Sequence, residues 1–256
     1  MQVSNHARGR TIESHQHKDH SVDWLHLKMN SLTINLRSFS RNIGLVRVIN
    51  RFRTNRPYED RFHKAIEDAI RPGDTAWDIG ANVGFYTETF CSRVGPQGCV
   101  VAFEPFPESL EQIRERLPDC AWLRLENVAL GDEDTLRHLV LSDNSTTHHL
   151  DSGTGQDPDA RSIPVTVVRG DSVRQRLGGA PNLIKVDVEG FEEEVLSGLS
   201  ETLSEPNVRA VFVEVHFHLL SQRGQANAPV RIEKMLRAKG FRVAWLDASH
   251  LQAIRP

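Results

Sequence analysis

The eight residues Trp77-Asp78-Ile79-Gly80-Ala81-Asn82-Val83-Gly84 limit what this chain can fold into more than any other stretch. They follow the turn signal Arg71-Pro72-Gly73-Asp74. Thr75 to Ile79 reads as a short buried strand, and Phe85-Tyr86-Thr87-Glu88-Thr89-Phe90 as the opening of a helix. A strand, a glycine turn and a helix make the first half of a nucleotide-type α/β unit. Glycine lets backbone approach a ligand where a Cβ would collide with it. The helix start offers free N–H groups to an anion such as a carboxylate.

The pattern narrows the ligand. A dinucleotide loop needs Gly-x-Gly-x-x-Gly. Counted from Gly80, that frame gives Gly80, Asn82 and Phe85, so close contact with a pyrophosphate is poorly supported. The phosphate loop ending in Gly-Lys-Ser/Thr is absent as well. About twenty residues on, Cys99-Val100-Val101-Ala102-Phe103-Glu104-Pro105 reads as a second strand ending in an acid, which can accept hydrogen bonds from both ribose hydroxyls. Adenosine without phosphate, plus an amino-acid carboxylate, describes S-adenosylmethionine.

Three segments then carry a resemblance. They are Asp78 to Thr87, Phe103-Glu104-Pro105 and Ile184-Lys185-Val186-Asp187-Val188-Glu189-Gly190-Phe191-Glu192. In this order the chain resembles the FkbM-type methyltransferases over Tyr58 to the C-terminus. That resemblance implies a class I, Rossmann-like α/β fold with a mostly parallel seven-stranded sheet and helices on both faces. It implies S-adenosylmethionine as cofactor, held by Asp78, Gly80, Ala81, Asn82, Gly84, Tyr86, Thr87, Glu104 and Phe106. The end of the third strand, Asn127 and Val128, would lie beside the adenine. It also implies a hydroxyl acceptor on a small molecule, glycan or secondary metabolite.

Composition sets the outer bounds. The chain has 256 residues, 39% hydrophobic, with net charge −3. That suits one globular domain with an extension and advertises no nucleic-acid partner. Cys91, Cys99 and Cys120 have no Cys-x-x-Cys spacing and read as thiols of a reducing compartment. No apolar run approaches membrane-spanning length, and the first thirty residues lack the apolar core of a secretion signal, so a cytoplasmic location is expected.

Along the chain, residues 1–30 form a polar, histidine-rich tail carrying His6, His15, His17, His20 and His26, expected to be disordered. Residues 31–57 form a basic amphipathic extension. Leu32, Leu36, Phe39, Ile43 and Val46 line one helical face among Arg37, Arg41, Arg47, Arg51 and Arg53. Such a helix can touch an anionic membrane weakly through 31–56. Gly44 and Asn42 interrupt the stripe and favour a helix packed on the domain with a solvated arginine face. The methyltransferase domain is expected over 58–256. Helices are expected at Tyr58 to Ile70, at Phe191 to Leu203, and from a cap at Asp171 or Ser172 to Gly178. Strands are expected at Ala121 to Glu126, Asn182 to Asp187 and Val208 to Phe217, with a closing pair at Phe241 to Leu246 and Leu251 to Ile254. Leu136 to Leu141 and Ile163 to Val168 read as an inserted β-hairpin whose polar linker would overhang the active-site end as a substrate loop.

Ligands bind beyond the carboxyl ends of parallel strands. The fourth strand end carries Lys185, Asp187 and Glu189, and the fifth carries Glu214, His216 and His218. Each set has period two and should point to one strand face. Ionisable groups at buried strand ends break the apolar rule and tend to mark function. The alternative is a structural ion pair such as Lys185 with Glu214. Asp187, Glu214, His216 and Lys185 are the candidate catalytic residues, with His216 as the proton acceptor and Asp187 orienting it or contacting the cofactor amine. No metal is required by this reading. A metal-assisted variant would place a divalent ion on Asp187, Glu214 and His216. A non-catalytic module keeping the fold, or an RNA methyltransferase, would need loss of the cofactor residues or a basic aromatic stripe in the core, and neither is present.

Overall fold

The computed structural model describes residues 57–141, 148–151 and 161–256. The histidine-rich tail and the basic extension expected before residue 57 lie outside the described residues, as does most of the linker expected to overhang the site.

The chain alternates strands and helices. Helix α1 (Pro57–Ala69) leads into β1 (Thr75–Ile79), then α2 (Phe85–Val94), β2 (Cys99–Phe103), α3 (Pro107–Arg116) and β3 (Leu123–Glu126). Next come β4 (Ala129–Gly131), β5 (Thr135–Val140), β6 (His149–Leu150) and β7 (Ser162–Arg169). The chain ends with α4 (Gly170–Leu177), β8 (Leu183–Val186), α5 (Glu192–Gly198), a 3-10 turn (Thr202–Ser204), β9 (Ala210–Glu214), α6 (Phe217–Gln222), α7 (Ala228–Ala238), β10 (Arg242–Trp245) and β11 (His250–Ile254).

The main sheet has the order β10-β11-β9-β8-β1-β2-β3. The five strands from β9 to β3 are parallel, while β11 runs antiparallel to both β9 and β10. This is the mostly parallel sheet that the alternation predicts, with the seven strands that the resemblance implies. Period two divides its core. Trp77, Ile79, Val101, Phe103, Ile184, Val186, Val211 and Val213 pack with residues of α4 to α7 on one face. Ala76, Val100, Leu183, Ala210 and Phe212 pack with residues of α1 and α2 on the other. The strands are buried on both sides, which is why they read as apolar runs.

The expected hairpin is there as β5 and β7, paired antiparallel from Thr135↔Val167 to Val140↔Ser162. It is part of a larger second sheet, ordered β4-β7-β5-β6. The three-residue β4 and two-residue β6 are too short to give a periodic signal.

Three expected element bounds are corrected. The fifth strand stops at Glu214 rather than Phe217. The ladder to β11 ends at Glu214↔His250, and the chain then turns into α6, where Phe217 and Leu220 insert into the core three residues apart. His216 and His218 therefore do not continue the strand alternation. The helix after β8 breaks at Gly198 and resumes as the 3-10 turn. Asp171 is not a cap: α4 begins at Gly170, and the buried Asp171 carboxylate accepts from the Thr202 backbone N–H (2.8 Å), the Thr202 hydroxyl (2.6 Å) and the Glu201 N–H (3.0 Å). It ties α4 to the 3-10 turn. Among the described residues no helix is long and apolar enough to cross a membrane.

Candidate active site

The glycine turn leaves β1 and crosses to α2 over the carboxyl ends of the central strands. Gly80 and Ala81 donate backbone N–H bonds to the Phe103 carbonyl at 3.0 and 3.1 Å. Gly80 has φ +75°, and a Cβ there would lie 1.8 Å from the Asp187 carbonyl oxygen, so only glycine fits between the ends of β1 and β8. Gly84 has φ +87°, and its Cβ would meet Ile113 of α3 at 2.9 Å. Both glycines are explained by contacts within the fold. Asn82 holds φ 49°, a region open to asparagine more than to most side chains.

Asn82 is fixed by Glu104. The Asn82 N–H donates to Glu104 Oε2 at 2.8 Å, and the Phe106 N–H donates to Oε1 at 2.9 Å. Burial raises the Glu104 pKa, and these two donors oppose the rise. Each carboxylate oxygen spends one lone pair on the loops and keeps another. Asn127 Nδ2 donates to the carbonyls of Glu104 and Pro105 at 3.0 Å each, so it braces the end of β2. Phe106 meets His148 edge to face, with ring centroids 4.6 Å apart.

Asp78 and Lys185 are register partners across β1 and β8, on the sheet face that carries α2. Both are enclosed, at 0% and 2% exposure. The Lys185 ammonium donates to the Gly80 carbonyl at 2.8 Å and pairs with Asp78 at 3.1 Å and Asp187 at 3.5 Å. Burial disfavours its charge, but Asp78 and Asp187 outweigh burial and raise its pKa. The other Asp78 oxygen accepts from the Thr87 hydroxyl at 2.6 Å. The Tyr86 ring lies 5.2 Å from the Lys185 nitrogen. The ion pair anticipated between Lys185 and Glu214 is replaced by these contacts, because the β1 register puts Asp78 directly opposite.

Beyond β8 the carboxylates gather around His216. Its Nδ1 meets Glu192 Oε1 at 2.7 Å, and Nε2 faces Glu189 at 3.3 Å, Asp187 at 3.7 Å and Glu214 at 4.0 Å. Burial opposes the imidazolium, but the bond to Glu192 and the charges of Glu192, Glu189 and Asp187 push its pKa up to about 10. Burial pushes Glu189 up to about 7 against the attraction of His216. Glu214 is held down to about 2: burial opposes this, and the bond to His250 with the charges of His216 and His250 overcomes it. His250 is itself clamped by Asp247 at 2.7 Å and lies 3.3 Å from Glu214.

A cleft opens over these strand ends. It is lined by Gly80, Asn82 and Glu104 on one side, by Val128 and Ala129 at the adjoining end of the second sheet, and by Asp187 and Glu189 on the other. Leu139, His148, His149 and Leu150 of the second sheet form its remaining wall. Of the residues picked from sequence, Gly80, Asn82, Glu104, Val128 and Asp187 line the cleft. Asp78, Thr87, Tyr86 and Lys185 stand behind it and brace it, and His216 and Glu214 sit around Asp187. His218 is on α6 with its side chain exposed.

Sequence reasoning missed Glu192, His250 and Asp247 as parts of the site. Glu192 closes the motif that begins at Ile184 and opens α5, so its place was signalled. His250 comes from β11, the antiparallel strand between β10 and β9, and nothing local in sequence pairs it with Glu214.

A family model described as Methyltransferase FkbM domain matches residues 78–243. The 31-O-demethyl-FK506 methyltransferase FkbM of Streptomyces tacrolimicus is 30% identical over 188 residues, covering 62% of this chain and 72% of that protein. The hexuronic acid methyltransferase AglP of Haloferax volcanii is 30% identical over 177 residues, covering 67% of each. Among solved structures, a proposed rRNA methylase from Clostridium thermocellum superposes with a TM-score of 0.50, at 12% identity, over 78% of this chain and 96% of its own. At that identity the likeness is one of fold. The match over residues 78–243 runs from the glycine turn past the His216 cluster, and the chain belongs to the FkbM family of methyltransferases.

Proposed function

We propose that the cleft binds S-adenosylmethionine between Gly80, Asn82, Glu104 and Val128 and passes its methyl group to a hydroxyl held against Asp187 and Glu189. The observation that carries this reading is the single cleft that meets Glu104 on one wall and Asp187 with Glu189 on the other. Glu104 keeps one lone pair on each oxygen for the two ribose hydroxyls, because its backbone donors use the others. Val128, with Asn127 bracing the strand end behind it, is the adenine wall. Asp78, Ala81, Gly84, Tyr86, Thr87 and Phe106 shape the turn and its support.

Methyl transfer is an in-line displacement, and much of its acceleration is positioning. The acceptor O–H bond must also break. Asp187 and Glu189 line the cleft, and in this reading their carboxylates take that proton. His216, proposed from sequence for this task, is surrounded by carboxylates that keep it protonated, so it acts here as the charge that holds them together.

The acceptor is a hydroxyl on a small molecule or glycan. The names of the two relatives point this way, one to an O-demethyl form of FK506 and the other to a hexuronic acid. The second sheet, with Leu139, His148, His149 and Leu150 on the cleft, is where acceptor choice would be made. Three free thiols and this cofactor suit the cytoplasm.

Calorimetry with S-adenosylhomocysteine and NAD, followed by mass spectrometry of cell extracts incubated with labelled S-adenosylmethionine, tests the reading. Binding of the first ligand and not the second, with a labelled hydroxyl product, is expected. Failure to bind S-adenosylhomocysteine would remove the cofactor assignment.

A further inference from the structure

The cluster around His216 has features that methyl transfer alone does not require. The imidazole is clamped from behind: Glu192, 0% exposed, meets Nδ1 at 2.7 Å and also accepts the Gly190 N–H at 2.9 Å. A buried carboxylate on Nδ1 fixes the ring with Nε2 facing outward, where an entering metal ion would displace the proton that the carboxylates otherwise hold there, the arrangement of a metal-ligating histidine. The second Glu192 oxygen is enclosed and has no hydrogen-bond partner, so its charge is not spent elsewhere in the fold.

The front nitrogen looks onto oxygens at spacings suited to a shared ion. Donors bound about 2.1–2.2 Å from one ion lie about 3.0–3.5 Å apart when adjacent and about 4.3 Å apart when opposite. His216 Nε2 stands 3.3, 3.7 and 4.0 Å from oxygens of Glu189, Asp187 and Glu214. The donor atoms of Asp187, Glu214 and His216 all fall within 4.8 Å of one another.

Charge points the same way. Among the described residues here, the cations Lys185, His216 and His250 face the carboxylates Asp78, Asp187, Glu189, Glu192, Glu214 and Asp247. Six carboxylates against three cations leave an excess of negative charge, even though Lys185 also meets Asp187 and His250 also meets Glu214. Crowded carboxylates short of cations repel one another, and a divalent cation removes the excess.

We propose that Asp187, Glu214 and His216 bind one divalent first-row cation, with Glu192 as the outer carboxylate that orients the imidazole and Glu189 beside the ion on the cleft side. One imidazole with carboxylates suits manganese, iron or zinc. The ion's role rests on the methyl-transfer reading, whereas its binding does not. In that role the acceptor hydroxyl binds the ion through oxygen, and its proton passes to the Glu189 carboxylate. The oxygen then forms a bond to the methyl carbon, and the electron pair of the breaking C–S bond returns to sulfur.

The test is manganese binding to the full chain, read by loss of the free-ion electron paramagnetic resonance signal and by calorimetry, with no cofactor or acceptor present. One tight site is expected. Asp187→Asn, Glu214→Gln and His216→Ala should each abolish it, and Glu192→Gln should weaken it by about 10–100-fold, as outer partners of metal-bound histidines do. Melting curves and S-adenosylhomocysteine affinity verify that the variants fold. The histidine-rich tail could bind metal independently, so the readout is the site lost in these variants. No manganese uptake by the parent overturns the proposal, and so does uptake that is unchanged in folded Asp187→Asn and His216→Ala. Neither result touches cofactor binding, which separates failure here from failure of the methyltransferase reading.

Discussion

Where β1 and β2 end, the charged groups find their partners inside the fold; where β8 and β9 end, carboxylates outnumber the cations beside them. On the first side Asp78 is answered by Lys185 and Thr87, and Glu104 by two backbone N–H groups. That side is rigid before any ligand arrives, because each contact fixes a loop to a strand. On the second side His216 holds four carboxylates together, and two of them, Asp187 and Glu189, face the cleft. Preorganised polar groups suit a cofactor that binds the same way each cycle. An excess of one charge suits a reacting centre, where a proton or a cation must come and go.

The largest expected effect breaks the balanced side. Lys185→Met removes the cation paired with the enclosed Asp78, and orphaning a buried charge costs about 3–5 kcal/mol. Denaturant unfolding should show this loss. A loss below about 1 kcal/mol would mean that Asp78 is neutral or re-partnered, and the contrast between the two sides would disappear.

The second effect sharpens the other side. By removing the charge that positions Asp187 and Glu189, His216→Ala should lower turnover by about a hundredfold, equivalent to about 2.7 kcal/mol in the barrier, while S-adenosylhomocysteine affinity changes little. The separation matters because His216 touches Asp187, Glu189, Glu192 and Glu214, and no contact ties it to Asn82 or Glu104. Equal losses in turnover and cofactor affinity would show that the two sides are one unit.

Glu104→Ala comes third. It deletes the proposed ribose acceptor and frees the Asn82 and Phe106 N–H groups. Cofactor affinity should fall by about 2 kcal/mol, or about thirtyfold, as expected for hydrogen bonds to a charged group. Undiminished binding of S-adenosylmethionine and S-adenosylhomocysteine by this variant would sink the ribose assignment.

The same contrast explains what could be read in advance. The balanced side was legible because it is local: a strand, two glycines and an acid about twenty residues on lie within one βαβ unit, where spacing has a fixed geometric meaning. The His216 side was legible as a set of residues but not as a geometry. Glu214, His216 and His218 have a strand's period in sequence, yet the ladder ends at Glu214 and burial of Phe217 and Leu220 turns the chain into a helix. His250 reaches Glu214 through the antiparallel pairing of β11 with β9, between residues far apart in sequence. Tertiary packing decided these positions, and no short-range signal competes with it.

The smallest effect is expected at His218, and it tests that last point directly. If the alternation had continued through β9, His218 would share a face with Glu214 and His216, and removing either histidine would damage the same site. The structure instead places His218 one residue into α6 with its side chain exposed, while the backbone of His216 takes the N-cap position of that helix. His218→Ala should therefore leave manganese affinity and turnover within about twofold of the parent. His216→Ala, two residues away, should differ from it by about two orders of magnitude in turnover. Such a gap between near neighbours requires the strand to end where the ladder does. Matching losses in the two variants, with melting temperatures unchanged, would mean that α6 unwinds in the working enzyme and that both histidines face the cluster.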